Sequence, residues 1–135
     1  LIGLTSRLID QKGFDILTAV LEPMLRLLPA QFVILGAGEQ RYHHSLGDLQ
    51  QRYPHRLAHY PAYDETLARR IYAGSDIFLM PSRHEPGGLD QLKAMRYGAI
   101  PVVHATGGLK DTVIDHHPPE IGTGFSFGPY DCMAL

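Results

Sequence analysis

Two cations set five positions apart in one polar stretch, Arg7 and Lys12, have the reach and the chemistry to hold a diphosphate from two sides. Arg7 offers a planar bidentate fork and Lys12 a compact point charge; together they would neutralise the charge that grows on a departing diphosphate. A charge-assisted hydrogen bond of this kind is worth about 1.5–3 kcal/mol, enough to matter to both binding and catalysis. The competing reading is a pair of solvated surface cations among the chain's 12 lysines and arginines. The segment that weighs on this choice is Pro81-Ser82-Arg83-His84-Glu85-Pro86-Gly87-Gly88-Leu89-Asp90. It places a carboxylate, Glu85, and the amides of Gly87, Gly88 and Leu89 between an apolar run and a helix expected to begin near Gly88, where free N–H groups can meet an anion. Glu85 would hold sugar hydroxyls or stabilise positive charge at an anomeric carbon, its plain alternative being a solvated loop carboxylate. Tyr63 would lie against a nucleobase or, more simply, cover the sheet edge.

Other motifs carry less. Gly36-x-Gly38 lacks the first-strand context of a dinucleotide fingerprint, and Gly3-Leu4-Thr5-Ser6 is not followed by the Gly-Lys-Thr/Ser of a phosphate loop. The eight histidines show no regular ligand spacing, with His43-His44 and His116-His117 as adjacent pairs in polar segments, so no zinc site is expected. A net charge of −2 gives no bulk attraction to nucleic acid or an anionic membrane, and no apolar run approaches the length of a membrane span. A single cysteine, Cys132, excludes an internal disulfide framework and fits a reducing compartment.

The elements that must position these residues alternate. Apolar runs at 1–5, 31–35, 56–60, 76–80 and 100–104 read as strands, with 122–127 as an edge strand. Helical spacing places helices at 14–28, 40–53, 64–73 (capped by Asp64), from near Gly88 to Gly98, and at 106–113; residues 116–119 read as a loop. Alternation with short connections demands an α/β, Rossmann-like parallel sheet with helices on both faces. Ligands of such sheets sit at the strand C-terminal ends, so Arg7 and Lys12, Gly36 and Gly38, Tyr63, and Glu85 to Asp90 should line one rim.

Taken together, the motifs resemble the bacterial glycogen synthases and plant starch synthases. Ser6-Arg7-Leu8 with Gln11-Lys12-Gly13-Phe14-Asp15 is similar to a hallmark segment of that family. So, in order and spacing, are Gly36-Ala37-Gly38-Glu39, Tyr72-Ala73-Gly74-Ser75-Asp76, Met80-Pro81-Ser82-Arg83, Arg96-Tyr97-Gly98 and Thr106-Gly107-Gly108-Leu109-Lys110-Asp111-Thr112-Val113. The resemblance implies a retaining, metal-independent GT-B glycosyltransferase that moves glucose from ADP-glucose to the non-reducing end of an α-1,4-glucan. It implies that residues 1–135 are the C-terminal, donor-binding domain of a longer enzyme whose N-terminal domain is absent, inactive in isolation. Arg7 and Lys12 would hold the donor diphosphate, Tyr63 would lie against the adenine, Glu85 would be the carboxylate close to the transferred glucose, and the amides of Gly87 to Leu89 would complete the anion site. The compartment implied is a bacterial cytoplasm or a plastid, without secretion.

The sequence departs from the family in three places. Gly87 replaces a cysteine, Asp90 replaces a neutral threonine or asparagine and would repel a diphosphate, and His104 replaces an arginine. Lys93 stands where many other GT-B enzymes carry a second glutamate, which favours ADP-glucose over UDP- or GDP-sugars. Two other functions stay open: a non-catalytic nucleotide-sugar or glucan-binding module, and a GT-B transferase with another nucleotide sugar.

Overall fold

The computed structural model describes residues 1–117 and 121–135; Pro118 and Pro119, read above as loop, lie outside the described residues. Among the described residues six strands, β1 (Ile2–Thr5), β2 (Phe32–Leu35), β3 (Leu57–Tyr60), β4 (Ile77–Met80), β5 (Ile100–His104) and β6 (Phe125–Phe127), alternate with five α-helices. The helices are α1 (Phe14–Leu27), α2 (Gln40–Arg52), α3 (Glu65–Gly74), α4 (Asp90–Tyr97) and α5 (Gly107–Thr112). Every strand pair is parallel and the sheet order is β3-β2-β1-β4-β5-β6.

Alternation of side chains along each strand divides the core into two layers. Phe32, Ile34 and Leu79 join Phe14, Leu17, Leu21 and Leu25 of α1 and Tyr42, Leu46 and Leu49 of α2 on one face. Leu35, Phe78, Met80 and Val103 join Ala68, Ile71 and Tyr72 of α3, Ala94 of α4 and Leu109 of α5 on the other. Both layers are closed to water: Phe14 and Phe78 are fully buried, and such a side chain stabilises the fold by about 1.5–3 kcal/mol. The Asp64 cap is made as expected, its Oδ1 accepting from the Leu67 N–H at 2.8 Å.

Three boundaries differ from the sequence expectation. Helix α4 starts at Asp90 and not near Gly88, because Gly88 takes a left-handed backbone (φ 54°) and Leu89 is the residue before the first helical turn. The polar stretch after β1 contains a short 3-10 helix, Asp10–Lys12, closed by Gly13 at φ 83°. The edge strand is only three residues long, since Gly122 lies against the His116 backbone and Gly124 against the Pro101 carbonyl, close approaches that glycine permits.

Candidate functional site

The chain leaves β1 for β2 and β3 on one side of the sheet, then returns across it to β4, β5 and β6 on the other. The crevice between the C-terminal ends of β1 and β4 is therefore where the direction of winding reverses, the place where doubly wound sheets bind ligands. The loop after β1 carries Arg7 and Lys12, and the loop after β4 carries Glu85 and ends at Asp90.

Lys12 and Glu85 meet there as an ion pair, with side-chain exposures of 19% and 10%. Glu85 Oε2 also accepts from the Ser82 hydroxyl at 3.4 Å. Gly13 makes this approach feasible: it lies against the Pro81 carbonyl, where a Cβ would collide. The pair lines a small hollow of about 20 Å³ together with Thr5, Ser6, Ser82 and Asp90. The lysine thus reaches the β4 loop through the Glu85 carboxylate.

Thr5, Ser6 and Asp90 also line a larger hollow of about 500 Å³, which holds Arg7, Gly36, Tyr63, Tyr72, Arg69 and Lys93. Its size suits a nucleoside-sized ligand. Arg7 is exposed, and Tyr63, 79% exposed, stands at the margin with its ring free to cover a planar ligand. Two other cations of this hollow are engaged: Arg69 by Glu65, and Lys93 by Asp90 at 2.9 Å. The Tyr72 hydroxyl donates to Asp90 Oδ1 at 2.9 Å and lies 2.9 Å from Thr5 Oγ1. Burial pushes this phenol well above its ordinary pKa, so it remains a donor.

Asp90 is thus no bare acid facing the crevice. One carboxylate oxygen accepts from both Tyr72 and Lys93, and the residue opens α4, where an acid suits the helix dipole. Tyr72 and Lys93 belong to the site although the sequence singled out neither as a binding residue. The signal for Tyr72 was a hydroxyl on an inward helix face, which needs a partner; for Lys93 it was the three-residue spacing from Asp90.

Four predicted residues line neither hollow. Gly38 is a packing glycine: it pairs with Leu8 in an isolated bridge, and its N–H donates to His43 Nε2 at 3.2 Å. Gly87 lies against Gly108, whose Cβ would stand 2.6 Å from the Gly87 carbonyl. Gly88 supplies the left-handed turn, and its carbonyl accepts from Gln91 Nε2 at 3.0 Å. Leu89 points outward, 67% exposed. Because the helix opens two residues later than expected, the Gly87 to Leu89 amides belong to the turn that precedes it. His104, the missing arginine, faces inward: its Nδ1 is 2.9 Å from the Ser82 carbonyl and its ring packs on Phe127 and Tyr130.

Among the described residues no three His, Cys, Asp or Glu side chains gather as a metal-holding group, and no helix is long and apolar enough to cross a membrane.

The family described as glycosyl transferases group 1 matches residues 1–135, the whole of the chain. This chain belongs to that family. Among curated proteins, the group 1 glycosyl transferase chain is 50% identical over 135 residues to a glycogen synthase of Moorella thermoacetica, covering 99% of this chain and 28% of that protein. It is 51% identical over 134 residues to a glycogen synthase of Thermotoga petrophila, covering 98% of the chain and 27% of the relative. The chain thus spans little more than a quarter of the length of these relatives. Among solved structures, it superposes on the catalytic domain of starch synthase IV from Arabidopsis thaliana, bound to ADP and acarbose, with a TM-score of 0.88 and 36% identity over 98% of this chain and 28% of that one. The Rossmann-like, parallel-sheet architecture expected from the sequence is that of the GT-B glycosyltransferases it matches.

Proposed function

We propose that this chain is the donor-binding domain of a glucan synthase that transfers glucose from ADP-glucose to the non-reducing end of an α-1,4-glucan. The observation that carries the reading is the placement of Arg7 on one hollow and of the Lys12–Glu85 pair on a second that shares a wall with it, at the crevice where the sheet reverses its winding. The names of the relatives, glycogen synthase and starch synthase, point the same way.

In this reading the nucleoside lies in the larger hollow with its base against Tyr63, and the diphosphate spans from Arg7 toward Lys12. As the bond from the anomeric carbon to the diphosphate lengthens, negative charge builds on the leaving oxygen, where the two cations face it. Positive charge develops on the sugar, where Glu85 can stabilise it once Lys12 has turned to the phosphate. Both charges would thus be met by side chains once Lys12 has turned, and the reading requires no metal or cofactor. The acceptor glucan needs a second wall, which we assign to an N-terminal GT-B domain; closure of the two would exclude water. On its own the chain should bind ADP weakly and transfer no glucose. The complete enzyme would work in a bacterial cytoplasm or a plastid.

A thermal-shift series with ADP, UDP and GDP tests the reading, since a bound nucleotide stabilises by mass action. ADP should raise Tm most. A larger response to UDP or GDP would favour a transferase with a different donor, and no response to any would remove the donor site. The second reading, a binding module without catalysis, draws on the Asp90 carboxylate that lines both hollows. Glucose transfer by the chain joined to an N-terminal domain would exclude it.

A further inference from the structure

The last described segment of the chain crosses the loops that carry Lys12 and Glu85, and Tyr130 is where it is fastened. The Tyr130 hydroxyl donates to Asp15 Oδ1 at 2.5 Å and lies 3.3 Å from the Asp10 carbonyl. Asp15 stands in the first turn of α1 and Asp10 opens the 3-10 helix, so these two contacts bracket Lys12. The other Asp15 oxygen, Oδ2, accepts from Arg83 Nη2 at 2.6 Å, and the Arg83 guanidinium lies 4.8 Å over the Tyr130 ring. Arg83 belongs to the β4 loop two residues before Glu85, and its N–H donates to the Gln11 carbonyl at 2.9 Å. Burial, with the Asp15 carboxylate as the next cause, pushes the Tyr130 phenol up to about 12, so it stays protonated and donating at neutral pH.

We propose that Tyr130 is a positioning residue for the donor site, a clasp that holds the Lys12 loop and the Glu85 loop in register so that the ammonium and the carboxylate stand where the diphosphate and the sugar meet. The inference rests on the donor-site reading above, and nothing in that reading requires the hydroxyl of residue 130. A shared carboxylate between a tyrosine of one segment and an arginine of another sets the spacing of both loops, because each carboxylate oxygen has a separate donor at a fixed angle. Loss of one donor leaves Arg83 with a partner that can rotate.

The test is Tyr130→Phe, which keeps the ring over His104 and Arg83 and removes only the hydroxyl. Hydrogen exchange in the ligand-free chain is the first readout. The amides of Lys12, Gly13 and Arg83, all hydrogen-bonded within or between these loops, should exchange several-fold faster while those of β2 and β3 do not change. Calorimetry with ADP is the second: Kd should rise by about threefold to tenfold, the reach of one charged hydrogen bond partly transmitted. Asp15→Asn should do the same, and the double variant should lose little more than the worse single one. Unchanged exchange at the three amides, or faster exchange spread over the whole sheet, would overturn the proposal. If the wild-type chain binds no ADP, the donor-site reading fails and the exchange result alone decides the clasp. If it does bind, an unchanged Kd in Tyr130→Phe refutes the positioning role while leaving the donor site standing.

Discussion

Replacing Asp90 by asparagine should tighten ADP. The carboxylate lines both hollows, so it lies within a few ångströms of any diphosphate that spans them. At about 6 Å and an effective dielectric of about 40–80, removing one unit of like charge is worth about 0.7–1.4 kcal/mol. That converts to a gain of about threefold to tenfold in Kd. The substitution also loosens Lys93, whose ammonium now shares its charge with Asp90 at 2.9 Å, and leaves it available to the ligand. The asparagine carbonyl can still accept from Tyr72, so the wall of the hollow keeps its shape. The helix loses an acid from its first turn, which costs about 0.3–1 kcal/mol and for a chain of this size lowers Tm by roughly 1–4 °C. Calorimetry with ADP and with adenosine at two salt concentrations separates the effects. The gain should appear for ADP, be absent for adenosine, and shrink as salt screens it. A Kd for ADP that stays within twofold, or an equal gain for adenosine, would show that Asp90 does not feel the phosphates.

Three other outcomes follow from the geometry. Lys12→Met should weaken ADP about tenfold or more and also lower stability, because Glu85, 8% exposed, would be left with only the distant Ser82 hydroxyl; ADP titration and urea denaturation measure the two losses. Gly36→Ala should destabilise the chain by about 1–3 kcal/mol or more in urea, since its Cβ would collide with the Ser6 carbonyl, and a neutral result would mean that the turn can yield. His59, half-buried and stacked on His43 with centroids 5.3 Å apart, has its pKa lowered to about 4 by burial, with His43 as the lesser cause. An unfolded histidine titrates near about 6.5, so between these values the unfolded chain holds a proton that the folded one refuses. The stability contributed by His59 should be full above about pH 6.5 and fall as the pH drops toward 4, and His59→Gln should flatten that slope of the urea midpoint.

Strand positions were legible because β-branched and aromatic runs ended at prolines, glycines or polar loops: 76–80 and 100–104 contain β4 and β5 to within a residue. The start of α4 was not, because Gly87-Gly88 reads equally as a helix start or as the turn before one, and only the φ of Gly88 decides. Arg7, Lys12, Glu85, Tyr63, Gly36 and Asp90 could be placed at strand C-terminal ends from the pattern of alternation alone, and they line the two hollows. Their pairing was hidden. That Lys12 would close on Glu85 depends on which strands are neighbours, and local spacing does not state that β1 lies beside β4. The Tyr130 bonds to Asp10 and Asp15 were out of reach for the same reason, joining residues more than a hundred positions apart.

In the proposed donor site, the sheet order also separates two jobs that one ligand would impose. Tyr63 follows β3, the outermost strand on its side, whereas Arg7, Lys12 and Glu85 follow the innermost pair. On that reading a change in the outer loop would alter which base is welcomed while the anchoring centre kept its packing, since β2 stands between the two. Swapping nucleotides during divergence, or by engineering, would then be a matter of rewriting a peripheral turn, and the part of the scaffold assigned to the bond being broken would stay as it is.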